Sequence, residues 1–338
     1  VYRGFPRSAL AFALILPIAA GLGGLVGPAV AAPTKAADGY SFAPYVDMTS
    51  SSVSMLDKAV SDGGLKAFTA AFVIGSGCQP IWGDTLPVGN DPAVNGEIDK
   101  ARSAGAQVIV SFGGAGGVEL AQSCTDSGEL TKAYQSVVDQ LKVDHVDFDV
   151  EGAAIADTAS VNRRFEAINA LESANPGLTV SVTIPVFPTG PDNNGEAFLQ
   201  AAKTNNTRID VVNIMTMDYY GQWDNNGPNM GAYATQAAQG TLKMLQGIFP
   251  SASYAMIGIT PMIGENDDAK EVFSAADAST VADFARSNGL GRLSFWSIGR
   301  DQSCGGVATG AAKPAASPNC SGVSQSPLDF TRAFGGGG

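Results

Sequence analysis

Histidine is almost missing: His145 stands alone in 338 residues. A cluster of imidazole metal ligands is therefore impossible, and a Ser-His-Asp triad has only that residue to pass through. Cysteine is scarce too. Cys78, Cys124, Cys304 and Cys320 show no CxxC spacing, which argues against a zinc or redox site. No G-x-G-x-x-G turn follows the first strand-like run, which weakens a doubly wound open sheet as the fold. The reading is of a protein that needs no cofactor and no metal. Positive charge is in short supply as well. Twenty Lys and Arg face 32 Asp and Glu, for a formal charge of −12, which excludes nucleic acid and anionic membrane as partners and leaves neutral polymers open.

Long apolar runs are absent except near the start. Ala9–Val30 follows Arg3 and Arg7 and ends at the small residues Ala29-Val30-Ala31. This reads as a secretory signal peptide over residues 1–32, with a short lead-in over 33–39. A secreted, extracellular chain with no membrane attachment after cleavage is expected. Four cysteines suit that oxidising compartment. They allow three pairings. Cys304–Cys320 closes a short Gly/Ala/Pro-rich loop and Cys78–Cys124 ties two neighbouring loops, so these two are favoured.

What the sequence has is alternation. Strand-like runs fall at Phe42–Asp47, Phe68–Ile74, Gln107–Phe112, His145–Glu151, Leu178–Pro185, Asp210–Met217, Tyr254–Thr260 and Leu293–Ile298. Between them lie helical patterns such as Glu129–Leu141, Ser160–Ala174 and Ala234–Ile248, with apolar residues three and four apart. Eight such units predict an α/β fold, a (β/α)₈ TIM barrel in one domain over residues 40–334, with a flexible tail at 335–338. A doubly wound open sheet is the rival. Polar residues gather at the C-terminal ends of the runs, where barrels do chemistry.

The sharpest feature is Asp144-His145-Val146-Asp147-Phe148-Asp149-Val150-Glu151. Alternate strand residues share a face, so Asp147, Asp149 and Glu151 point together into the barrel while Val146, Phe148 and Val150 face the helices. Acids stacked so closely cannot all ionise. A proton retained by Glu151, at the strand's end, is what a general acid needs. A cation site is the competing reading, but the acids alternate with bulky apolar residues rather than with the Gly and Asn of a calcium loop.

This segment resembles the D-x-x-D-x-D-x-E signature of glycoside hydrolase family 18, matched by Asp144, Asp147, Asp149 and Glu151, with His145 where Gly is usual. A second signature, S-x-G-G, appears as Ser111-Phe112-Gly113-Gly114. The resemblance extends from about Tyr40 to Phe334 and implies a bacterial secreted chitinase. It also implies retention of configuration without a carboxylate nucleophile, the substrate's own acetamido oxygen attacking instead. Glu151 is then the acid and base, Asp149 holds the acetamido group, Asp147 shares a proton with Asp149, and Asp144 is structural. The family often has M-x-Y-D after its sixth strand. Here Met215 and Asp218 match, Met217 takes the Tyr position, and Tyr219 is the candidate substitute hydroxyl. The resemblance places Trp296 as the floor under the cleaved sugar, and Ser111 and Gly113 among the substrate contacts. Trp82, Trp223, Asp47, Gln222 and Glu265 lie near strand ends and are further candidates.

The stretch from Pro261 to Arg292 is too short for the extra α+β domain that some family members carry, so an open cleft and internal cuts are expected. The expected activity is an endo-chitinase, a monomer acting on chitin or N-acetylglucosamine oligomers. An endo-β-N-acetylglucosaminidase acting on N-glycan cores and a non-catalytic chitin-binding lectin are the alternatives.

Overall fold

The computed structural model describes residues 41–83, 86–223, 229–305 and 316–335. The expected signal segment 1–32, the lead-in 33–39, and tail residues 336–338 lie outside them.

Among the described residues, parallel strands follow the order in which they were read. They are β1 (Tyr45–Asp47), β2 (Ala67–Ser76), β3 (Gln107–Gly113), β4 (His145–Asp149), β5 (Thr179–Pro185), β6 (Val211–Met215), β7 (Ile257–Thr260) and β8 (Arg292–Leu293). Each pairs with the next in parallel register. The ring closes between β8 and the run-in to β1: Phe42 bridges Leu293, and Ala43 N donates to Leu293 O at 3.0 Å and Tyr45 N to Phe295 O at 3.0 Å. This is the (β/α)₈ barrel.

A helix follows each strand: α1 (Met55–Ser61), α2 (Pro92–Ser103), α3 (Ser127–Leu141), α4 (Thr158–Ala174), α5 (Asn193–Thr204), α6 (Met230–Ile248), α7 (Ala275–Asn288) and α8 (Asp329–Gly335). Their starts are chemically marked. Asp91, Asp126, Asp157 and Asp192 accept the free N–H groups of α2 to α5, and Ser274 with Asp277 forms a capping box on α7. Gly289 ends α7 at φ 66°. No helix among the described residues is long and apolar enough to cross a membrane.

The core divides by strand face, as strand alternation dictates. Outward, Phe112 and Phe148 stack with centroids 5.2 Å apart, and Tyr134 of α3 meets them edge-on at 4.9 and 5.0 Å. Inward, the barrel is polar: Thr69, Ser111, Asp147, Ser181, Thr183, Asn213, Thr260 and Arg292 are all buried. Such groups are tolerable in a core only when bonded to one another.

Six strands are shorter than the expected runs: β1 starts at Tyr45, β4 ends at Asp149, β5 starts at Thr179, β6 covers only Val211–Met215, β7 loses its start and β8 its end. Tyr254–Met256 is a 3₁₀ turn leading into β7, and β8 stops at Leu293 before the Ser297 turn. The β7–β8 connection holds a hairpin, Gly264–Glu265 with Val272–Phe273, and then α7. Both favoured disulfides are present, Cys78–Cys124 and Cys304–Cys320.

Candidate active site

The acidic strand is the site's spine. Asp147 is fully buried, and four hydroxyls bond its carboxylate: Tyr45 at 2.9 Å, Ser111 at 2.8 Å, Ser181 at 2.5 Å and Thr183 at 2.9 Å. Below it, Arg292 lies 3.6 Å from Oδ1 and donates to Ser181 Oγ at 3.0 Å. Arg292 also bonds His145 Nε2. Burial, then the Arg292 charge, holds the His145 imidazole well below its usual range, so the ring is neutral and Nε2 accepts. The Gly-to-His departure thus builds a buried floor around the guanidinium. Asp144, at the strand's start, is exposed, and its carbonyl accepts Thr179 N at 2.8 Å.

Asp149 sits one step up. Burial first, then the Glu151 and Asp147 charges, push its carboxyl well above the usual range. Its Oδ1 is buried with no hydrogen-bond partner among the described residues. Glu151 is half-buried at the mouth and makes no capping bond to the short helix that follows it. Burial, then the Asp218 charge, raises it to about 7.

A cavity of about 210 Å³ opens onto these groups, and Asp149, Glu151, Met215, Met217, Asp218 and Trp296 all line it. Trp296 stacks on Phe72 at 5.6 Å and 15°, which fixes its ring against the cavity. On one side a second cavity of about 510 Å³ shares Phe72, Ala115 and Trp296. On the other a third, of about 400 Å³, shares Met217 and Asp218. Phe187 and Tyr220 line that third cavity at 41% and 55% exposure.

Several expected contacts are placed differently. Tyr219 is 1% exposed, packs edge-on against Tyr233 and borders the third cavity rather than the central one, so Met217 has no substitute hydroxyl at the central cavity. Strand parity does not carry from Met215 to Tyr219, because β6 ends at Met215 and the chain turns at Asp218, at φ 49°. Ser111 and Gly113 are supports beneath the cavity rather than contacts. A Cβ at Gly113 would stand 2.0 Å from Asp149 O, at φ +107°, so only glycine lets β3 end so close to β4. Trp82 is buried, Trp223 packs on Tyr233, Gln222 is exposed, and Glu265 lies against Gly322. Asp47 lines the second cavity. Tyr45, Thr183, Phe72, Met262 and Asp267 line the central cavity unforeseen. Tyr45 was readable by its shared face with Asp47; the others come from loops or strands whose polar residues carry no motif.

Residues 45–260 match the model of the glycosyl hydrolases family 18. The chain is 35% identical over 288 residues to the "Probable bifunctional chitinase/lysozyme" of Escherichia coli K12, covering 80% of this chain and 32% of that protein. It is 34% identical over 285 residues to Endochitinase 11 of Metarhizium anisopliae, covering 80% and 54%. It thus spans about a third to about half of these relatives. The catalytic domain of a hyperthermophilic chitinase from Pyrococcus furiosus superposes with a TM-score of 0.77 at 31% identity, over 88% of this chain and 94% of that one. Catalytic-site mutants of active domain 2 of that organism's thermostable chitinase, complexed with chito-oligosaccharides, match at 30% identity and the same TM-score of 0.77.

Proposed function

The chain belongs to glycosyl hydrolase family 18, and from that premise we propose that it is a retaining endo-chitinase using its substrate's acetamido group as nucleophile. One observation carries this reading. Asp149 is a buried carboxyl of raised proton affinity whose Oδ1 has no protein partner, in the cavity that Glu151 also lines. An orphaned buried acceptor calls for a ligand donor, and the acetamido N–H is one.

The chemistry follows from that pairing. The acetamido carbonyl oxygen bonds to the anomeric carbon as the glycosidic C–O bond breaks, and Glu151 gives its proton to the leaving oxygen. The oxazolinium ion that forms is positively charged, and an ionised Asp149 offsets that charge. Water then attacks the anomeric carbon, Glu151 takes back a proton, and the ring opens with the original configuration. Met215, Met217 and Met262 wall the cavity, so the acetamido group meets thioethers where many relatives offer a tyrosine hydroxyl. Trp296 supplies an aromatic face for the sugar ring. The two disulfides suit an exported enzyme.

The test is product stereochemistry by NMR on N-acetylglucosamine oligomers, with rates on deacetylated and cellulose-type oligomers alongside. The β-anomer should appear first, and the oligomers lacking an acetamido group should resist cleavage. An α-anomer as first product, or equal rates with and without the acetamido group, would overturn the mechanism.

A further inference from the structure

The hairpin between β7 and β8 grips the turn after β6. Glu271 is 3% exposed, and its Oε1 accepts the backbone N–H groups of Tyr219 at 2.8 Å and Tyr220 at 3.2 Å. In return Asp218 Oδ1 accepts Asp268 N from the hairpin at 2.8 Å. The turn held in this way is unusual, with φ 49° at Asp218 and 55° at Tyr220, a backbone region that side chains other than glycine seldom adopt. The hairpin is itself braced. Ile263 N donates to Trp296 O at 3.0 Å, and the buried Arg300 guanidinium donates to Ile263 O at 2.9 Å and to Glu265 O.

We propose that Glu271 is a positioning residue: by bonding two consecutive N–H groups it holds the Asp218–Tyr220 turn so that the Asp218 carboxylate stays in the cavity beside Glu151. This rests on the chitinase reading. The consequence is electrostatic. Glu151 feels Asp218, and Asp149 feels Glu151 and Asp147; Asp218 in turn feels Asp267 and Asp268, Glu271 feels Asp218 and Asp268, and Arg300 is a cation facing Asp267, Asp218 and Glu265. If the turn relaxes and Asp218 swings out, the like charge that helps Glu151 keep its proton is lost. Glu151 then ionises at lower pH.

Two variants separate reach from charge. Glu271→Asp keeps the carboxylate but withdraws it by one methylene from both N–H groups. Glu271→Gln keeps an acceptor oxygen at the same reach and removes the charge. With chitin oligomers, Glu271→Asp should lower kcat about tenfold, since small misplacements beside the reacting centre are costly. It should also move the alkaline limb of kcat/KM down by about half a pH unit or more. Glu271→Gln should keep most of kcat and the wild-type limb. Thermal unfolding, followed in parallel, reports folding. A folded Glu271→Asp protein with unchanged kcat and limb would overturn the proposal, as would a limb that moves in Glu271→Gln and not in Glu271→Asp. Should Glu271→Asp fail to fold, Glu271→Met, which fills the space but accepts no hydrogen bond, takes its place: a folded Glu271→Met protein with wild-type kcat and limb would overturn the proposal. Failure of the wild type to cleave would sink the chitinase reading instead.

Discussion

Glu151 holds a proton near neutrality because burial and the Asp218 charge both oppose its ionisation, to about 7. The acid role proposed for it and its effect on stability share that origin. Glu151→Gln cannot transfer a proton, so kcat on chitin oligomers should fall by about 10²- to 10⁴-fold with the fold intact. In the wild type the alkaline limb of kcat/KM should lie near pH 7. Stability carries the matching sign. An acid raised from its ordinary range to about 7 stabilises the fold fully below its unfolded pKa, and that stability is lost as pH climbs to about 7. The melting temperature should therefore drop between about pH 4.5 and 7, and by less in Glu151→Gln. Near-normal turnover in Glu151→Gln, or an equal drop in both proteins, would refute the assignment. The acids were legible because strand period and motif both marked Asp147, Asp149 and Glu151. Tyr219 was misplaced because period two was extended past Met215, where β6 ends and the backbone turns at Asp218. Glu271 was invisible because its partners are backbone N–H groups, which leave no trace in sequence.

At the scale of elements, the barrel strands were legible as β-rich runs, and β4 additionally by its strict alternation of acid and apolar residues. The start of β7 and the end of β8 were not: Tyr254–Met256 has strand-like side chains but a 3₁₀ backbone, and past Leu293 the β-rich run pairs, among the described residues, only through an isolated bridge of Trp296 with Met262. The short hairpin over 264–273 carries too few residues for any period to show. The disulfides act on loops rather than on strands. Cys78–Cys124 spans 46 positions and links the turn after β2 to the short helix after β3, while Cys304–Cys320 spans 16. Closing such loops in the unfolded chain is worth about 4 and about 3 kcal/mol in the chain-entropy account. Removing both cysteines of the first pair should thus lower the melting temperature more than removing the second pair. Neither pair lines the central cavity, so kcat on short oligomers should hold in both variants. A larger loss from the second pair would contradict the loop argument, and a collapse of kcat would contradict the separation of loops from chemistry.

For the molecule as a whole, the proposed endo-chitinase reading makes the three cavities along the mouth the place where a polymer would lie. The second cavity draws on β1, β2, the loop after β3 and Trp296, and the third on the end of β5 and residues following β5 and β6, while the acids line the cavity that shares residues with both. On the proposed reading, sugar would be bound on both sides of the scissile bond. Binding on both sides favours internal cleavage, because a chain end is needed only when one side is walled. The β7–β8 connection supports this, since it builds a hairpin and α7 rather than a wall. Exposed Phe187 and Tyr220 offer apolar faces on the third cavity, and aromatic contact with sugar is worth most where the ring is already held. Viscosity of a soluble acetylated chitin should then fall well before reducing ends accumulate, and a hexamer should yield dimers, trimers and tetramers together. Phe187→Ala should lower kcat/KM on the hexamer by about threefold to tenfold, the loss of roughly 1 kcal/mol of aromatic contact. It should change the rate on the shortest cleavable oligomer less, because fewer sugars reach that side. Dimers released alone from the hexamer, with viscosity and reducing ends changing in step, would mean that one side of the groove is closed in solution and that the enzyme works from chain ends.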